Sequence, residues 1–168
     1  MPAFTRFKAT LAAAAVLVTL LGVSPALAKK PEPFKSRVVA TWDNVFAALP
    51  VPLGIGQANF AGTSQTTHLG NAAQRGTLAL HPTTTSFADG VFPGDGTVTI
   101  TAANGDTLTF KYEGNLYLAT GEGKGTFTFT GGTGRFANAT GTGMFYAQLN
   151  LTVPNQPMTV VLDGGINY

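Results

Sequence analysis

A glycine-rich segment between two alternating segments constrains the fold of this chain more than any other feature. Residues 131–141 have the sequence GGTGRFANATG. Threonine alternates with phenylalanine over residues 126–130, and residues 144–151 alternate between two faces. A period of two is typical of a half-buried β-strand, and glycine adopts the backbone conformations that a sharp corner requires. The segment therefore predicts a strand, a glycine corner and a second strand of a closed β-barrel.

Short strand-like runs recur along the rest of the chain. They occupy residues 37–42, 55–63, 75–81, 96–102, 106–113, 124–130, 142–151 and 158–162. No amphipathic helix is predicted after residue 55. Before it, residues 43–49 predict a short helical turn that Pro50 and Pro52 end. Regular short strands separated by glycines are typical of a barrel or a sandwich.

The register of one hairpin follows from the apolar faces of its two strands. Ile100 and Leu108 belong to alternating runs on either side of a turn around residues 103–105. A two-residue loop would set Ile100 opposite Thr109 and mix the faces. A three-residue loop that ends in a left-handed glycine pairs Ile100 with Leu108. Because register normally follows the buried face, we predict the three-residue loop.

The N-terminus predicts an export signal that is removed. Arg6 and Lys8 precede an apolar stretch, residues 9–23, and an Ala-x-Ala pattern ends at Ala28. The apolar stretch is short for a membrane span, which needs roughly 20 residues. We therefore expect a signal peptide over residues 1–28, cleaved after Ala28. The exported protein, periplasmic or secreted, would then keep no stable membrane anchor.

The chain after the signal peptide fits one domain. Residues 29–35, which include Pro31 and Pro33, predict a flexible leader, and residues 36–168 predict a single β-barrel domain. A length of about 140 residues is enough for one adequate core. The chain has no cysteine, so disulfides and thiolate metal sites are excluded.

Charge argues against nucleic acid as a partner. All eight acidic residues follow Ala28, whereas two of the ten basic ones, Arg6 and Lys8, precede it, so the chain after Ala28 has no formal net charge. Nucleic-acid binding usually requires a broad positive surface. Four basic residues near the new N-terminus form only a small solvated tail.

Two motif-like patterns do not predict a cofactor. Residues 132–137 match the dinucleotide pattern G-x-G-x-x-G/A by letters, but Gly141 and Gly143 follow where that site needs a helix. His68 and His81 lack metal-like spacing with each other or with an acid. The sequence therefore predicts neither a cofactor nor a metal site.

Two charged or titratable residues have alternative roles. Arg135 lies inside the glycine corner, where its guanidinium would tie loop carbonyls together or place a cation at the barrel mouth. His68 would be a surface or capping residue, or a proton carrier near a cavity mouth. The structural role is the one we predict for Arg135.

Three segments carry a family resemblance: FTGGTGRF followed by ATG at residues 139–141, THLG at 67–70, and AANGD at 102–106. The corner is similar to that of plant dirigent proteins and allene oxide cyclases. The three segments together resemble exported bacterial proteins called allene oxide cyclase barrel-like, over roughly residues 55–165. The structural residues of the corner are Gly131, Gly132, Gly134, Arg135 and Phe136.

The resemblance implies an all-β fold, a closed, calycin-like eight-stranded antiparallel barrel with an apolar cavity. In the plant relatives that cavity holds an unsaturated fatty-acid epoxide or phenoxy radicals. The candidate cavity residues here are Phe110, Tyr112, Phe127, Phe129, Phe145 and Tyr146. Phe145 and Tyr146 are on opposite faces of one strand, so at most one of them faces inward.

Three functions stay open at this point. The first is an exported, non-catalytic barrel that binds a small apolar ligand. The second is a cyclase- or isomerase-like enzyme that acts by confinement, which requires an ionisable group in the cavity such as His68, Glu113 or Glu122. The third is a structural or assembly module, a homo-oligomer that the cyclase family suggests would be a trimer.

Overall fold

The computed structural model describes residues 30–42, 56–153, 155 and 157–168. Eight antiparallel strands form one closed barrel in sequential order, and the last strand pairs with the first. The strands are β1 (Glu32–Trp42), β2 (Gly56–Thr66), β3 (Gly70–Leu80), β4 (Val91–Ala102), β5 (Thr107–Tyr117), β6 (Glu122–Gly132), β7 (Thr140–Leu149) and β8 (Pro157–Asn167). The predicted all-β fold, a closed eight-stranded antiparallel barrel, is confirmed.

Each predicted strand run overlaps one observed strand. Among the residues that the structure describes, helical structure is limited to one short helix, α1 (Ser86–Asp89), and a 3₁₀ turn at Gly134–Phe136. The helical turn predicted over residues 43–49 lies outside the described residues. In the part of the chain that the structure describes, no helix has the length and hydropathy that crossing a membrane requires.

The predicted flexible leader at residues 29–35 is wrong for the part that the structure describes. Strand β1 begins at Glu32, and Phe34 is fully buried in the barrel. Pro33 is tolerated because its backbone groups point away from β8. Its carbonyl shows this direction, because it accepts a hydrogen bond from Nε2 of His68, 3.0 Å away, on the side that does not face β8. Its nitrogen points to that same side, so the missing N–H removes no β8 ladder bond.

The predicted hairpin register is confirmed. Ile100 pairs with Leu108 in β4 and β5, and the amide of Ala102 donates to the carbonyl of Asp106 across the loop. Gly105 has φ of +89°, the left-handed conformation that a three-residue loop requires. The two apolar faces therefore point together into the barrel.

The glycine corner links β6 to β7 through the 3₁₀ turn. Three glycines of the 131–141 segment have backbone angles that other residues rarely adopt, with φ of +110° at Gly131, +56° at Gly134 and +135° at Gly141. A Cβ atom at Gly134 would also overlap the carboxylate of Asp106 in the β4–β5 turn. The predicted order of strand, corner and strand is confirmed, and the corner fits closely against the neighbouring hairpin.

Strand directions bring the three segments of the family resemblance to one end of the barrel. The β2–β3 turn (residues 67–69), the β4–β5 turn (103–106) and the corner (133–139) all lie there, together with the C-terminal Tyr168. We call this end the corner end. The opposite end contains the last residue of β1, and we call it the Trp42 end.

Candidate functional site

Side chains fill the half of the barrel interior next to the corner end. Phe34, Phe110, Phe127 and Phe129 pack ring against ring there, with centroids 4.8–6.1 Å apart and mostly edge-to-face. Aromatic quadrupoles favour this arrangement. Phe136 of the corner is fully buried and caps the same end.

The half of the interior next to the Trp42 end contains a cavity of about 80 Å³. It is lined by Val38, Trp42, Phe60, Gln74, Leu78, Leu80, Gly94, Val98, Phe110, Tyr112, Gly114, Asn115, Leu116, Gly123, Phe145, Ala147, Leu149, Met158, Val160 and Leu162. Small residues such as Gly123 and Ala147 take inward positions that elsewhere carry phenylalanine. The cavity has roughly half the volume of an engineered apolar cavity of about 150 Å³ that binds benzene.

The six predicted cavity residues separate into three groups. Phe110, Tyr112 and Phe145 line the cavity. Phe127 and Phe129 are buried but belong to the filled half, because each packs against Phe34. Tyr146 is 57 % exposed on the outer face of β7, so its prediction as a cavity residue is wrong. As expected from strand alternation, only one of the pair Phe145 and Tyr146 faces inward.

Two buried polar side chains that line the cavity were missed by the sequence analysis. Gln74 is 3 % exposed and Trp42 is 4 % exposed, and neither Nε2 of Gln74 nor Nε1 of Trp42 has a hydrogen-bond partner. The phase of β3 contained a signal, because Gln74 lies two residues from Ala72 and four from Leu78, on the same inward face. A polar residue in phase with the core is a candidate site residue.

A short chain of hydroxyl groups lies inside the barrel, between Gln74 and the corner end. Ser36, Ser64 and Thr66 are all buried. The Thr66 hydroxyl donates to Ser64 Oγ, 3.1 Å away, and pairs with Ser36 Oγ at 2.7 Å. These three polar groups therefore satisfy one another, unlike the two unpartnered groups in the cavity.

Tyr112 closes an interruption in the barrel wall. The β3–β4 ladder lacks its pairs at Thr77 and Leu78. The Tyr112 hydroxyl donates a hydrogen bond of 2.7 Å to the carbonyl of Thr77, and its ring lies against Gly96, where a Cβ atom would collide with it. Burial raises the pKa of Tyr112 above its usual range, and the negative charge of Asp95 adds to the rise.

This raised pKa predicts an alkaline loss of stability that Tyr112→Phe removes. The folded protein holds the phenolic proton of Tyr112 more tightly than the unfolded chain. The contribution of this proton to the free energy of unfolding is therefore complete below about pH 10 and falls as the pH rises above it. Between pH 9 and pH 11 the wild type should lose about 1 kcal/mol of unfolding free energy more than Y112F. Urea unfolding at both pH values measures the difference, and equal losses would contradict the assignment.

Arg135 holds the turn that contains His68. Its Nη2 donates to the backbone carbonyl of His68, and its guanidinium lies over the rings of Phe136 and Tyr168, 4.8 and 5.9 Å from their centroids. This is the contact predicted for a structural arginine, which satisfies a loop carbonyl. Arg135 lies at the corner end of the barrel, so the alternative of a cation at the barrel mouth places no charge at the cavity in the other half.

His68 is fixed by contacts at the corner end. Its Nε2 lies 3.0 Å from the carbonyl of Pro33, and its Nδ1 lies 3.2 Å from the Tyr168 hydroxyl and 3.9 Å from a carboxylate oxygen of Glu32. A neutral ring would donate from Nε2 and accept from Tyr168. The alternative that places His68 near a cavity mouth is wrong, because the cavity lies in the other half of the barrel.

The two glutamates proposed as catalytic groups lie outside the cavity. Glu113 is exposed on β5, and Glu122 is exposed at the start of β6. Glu113 follows Tyr112 directly, so strand alternation turns it to the outer face when Tyr112 faces inward. Neither Glu113, Glu122 nor His68 lines the cavity.

Neither the histidines nor known proteins identify a further site. His68 precedes β3 and His81 follows it, so the strand holds them at opposite ends of the barrel. Within residues 30–42, 56–153, 155 and 157–168, no group of three or more His, Asp or Glu side chains could hold a metal ion. No family model matches the chain, and no curated protein matches it.

Proposed function

We propose that this protein is a non-catalytic barrel that binds a small, mainly apolar molecule in the cavity at the Trp42 end. The observation that carries the proposal is the contrast between the two halves of one barrel. Phenylalanine rings fill one half, whereas the other contains a cavity lined by leucine, valine and phenylalanine. Apolar lining with a few polar groups is the usual composition of a small-molecule site.

Binding without catalysis fits the residues that line the cavity. A confinement mechanism of the cyclase type requires an acid or base at the ligand. The lining includes no Asp, Glu, His, Lys or Arg. Tyr112 is the titratable group there, and it keeps its proton because burial raises its pKa.

The proposal includes export and a family relationship. The predicted signal peptide over residues 1–28 would carry the barrel out of the cytoplasm. Kinship with the allene oxide cyclase barrel-like proteins is supported by the three resembling segments, which meet at the corner end. Gly134 of the corner packs on Asp106, and Arg135 of the corner donates to the carbonyl of His68. These segments maintain the barrel, and the proposed ligand lies in its other half.

Native mass spectrometry of the protein purified from its own host tests this function. We expect a polypeptide that begins at Lys29 and carries an additional non-covalent mass, which is lost on denaturation. The same spectrum reports whether the protein is a monomer or an oligomer. A chain with no bound small molecule across independent preparations would count against a ligand-binding role. An uncleaved N-terminus would count against export.

A further inference from the structure

The cavity contains two hydrogen-bond donors that lack acceptors. Nε1 of Trp42 and Nε2 of Gln74 are each shielded from solvent and unpartnered, and both residues line the cavity. Indole nitrogen only donates, and the amide nitrogen of glutamine only donates. A buried tryptophan usually finds a partner for its N–H. Two unsatisfied donors in one apolar cavity therefore need an explanation.

The barrel geometry places the two donors near each other. Gln74 of β3 pairs with Gly62 of β2, and Gly62 pairs in turn with Ala40 of β1. Ala40 lies two residues before Trp42. The two side chains thus project inward two strands and two residues apart, with Cα atoms separated by about 12 Å. Gly62 contributes no side chain between them. Both residues line the cavity, so a molecule that fills it contacts both side chains.

The lining also limits the charge of that molecule. The side chains around the cavity include no cationic group that could neutralise a carboxylate or a phosphate. An unpaired charge is costly in an apolar cavity. A neutral oxygen acceptor matches both donors, because one carbonyl oxygen has two lone pairs.

We infer that the ligand is a neutral, mainly apolar compound with a carbonyl or ether oxygen, to which Trp42 Nε1–H and Gln74 Nε2–H donate hydrogen bonds. The inference rests on the proposed ligand-binding function and specifies its ligand class. Tyr112 takes no part, because its hydroxyl is committed to the carbonyl of Thr77.

Two small probes of matched shape test this ligand class: acetone and 2-methylpropene, which exchange C=O for C=CH₂. Trp42 is the single tryptophan of the chain, so its indole N–H gives one resonance in a ¹H–¹⁵N spectrum. We expect both probes to bind the wild type, the ketone about tenfold more tightly, as the two added hydrogen bonds together allow. Only the ketone should move the indole proton downfield.

A pair of glutamine variants locates the acceptor site. Gln74→Met keeps the length of the side chain and removes one of the two donors, and it should reduce the ketone preference to about threefold. Gln65→Met is the matched control, because Gln65 is exposed on the outer face of β2, and it should keep the tenfold preference. Trp42→Phe, followed through the side-chain amide of Gln74, should likewise reduce the preference.

The outcomes separate this inference from the function on which it rests. Equal binding of the two probes to the wild type would overturn the inference and leave apolar ligand binding standing. An undiminished preference in both folded variants, Gln74→Met and Trp42→Phe, would overturn it as well. Binding of neither probe would contradict the proposed function itself. A ketone preference that each variant reduces would support the assignment.

Discussion

Replacing Phe127 with alanine should lower the free energy of unfolding by about 3–5 kcal/mol, the usual cost of removing a buried phenylalanine. Phe127 is 1 % exposed, and its ring contacts those of Phe34, Phe110 and Phe129. The ring also lies over Gly143 of β7, where a Cβ atom would overlap it. Because side chains fill this half of the barrel, few neighbours can move in to fill the space.

Urea denaturation followed by Trp42 fluorescence measures this loss, since the single tryptophan lies in the other half of the barrel. Tyr146→Ala is the control, because it removes an aromatic ring from the outer face of the adjacent strand β7. We expect that control to change stability by less than about 0.5 kcal/mol. Similar losses in Phe127→Ala and Tyr146→Ala would show that the corner half is not a packed core.

The fold could be predicted where alternation and turn chemistry agreed. Phe127 and Phe129 alternate with threonines, and the structure buries the rings and exposes the threonines. Ile100 and Leu108 gave the correct hairpin register because only one loop length places both on a single face. Such local rules work because a one-residue slip would turn an entire strand inside out.

The ends of strands could not be predicted equally well. The predicted leader ends too late, at residue 35, because Pro33 and its charged neighbours are typical of a solvated segment. Strand β1 begins as early as Glu32, because Phe34 packs into the core and the backbone groups of Pro33 face away from β8. The sequence predicts a start at residue 75 for strand β3, because Gln74 interrupts the apolar pattern. The strand in fact begins at Gly70, and Gln74 points inward.

The candidate site was only partly predictable. Phe110, Tyr112 and Phe145 were identified from aromatic character and phase, but phase alone does not say which half of a barrel is filled. That depends on non-local neighbours, such as the contact between Phe34 and Phe129. Gln74 was overlooked because one amide in an inward phase carries little signal without knowledge that its partner is missing.

The central claim, a ligand-binding cavity in the Trp42 half, is tested most directly by filling it. Val160 lines the cavity, whereas its neighbour Val161 is 45 % exposed on the outer face of β8. Val160→Phe adds four carbon atoms towards a cavity of about 80 Å³, while Val161→Phe adds the same atoms towards solvent. The two variants therefore make the same chemical change, but only Val160→Phe reduces the cavity volume.

The measurement is the affinity of each variant for acetone, from titration of the Trp42 indole resonance, with thermal unfolding to verify that both variants are folded. Val161→Phe should bind like the wild type. Val160→Phe should bind at least roughly tenfold more weakly, because overpacking costs of about 1–3 kcal/mol would accompany entry of the probe. Binding to folded Val160→Phe that is as tight as to the wild type would contradict the account.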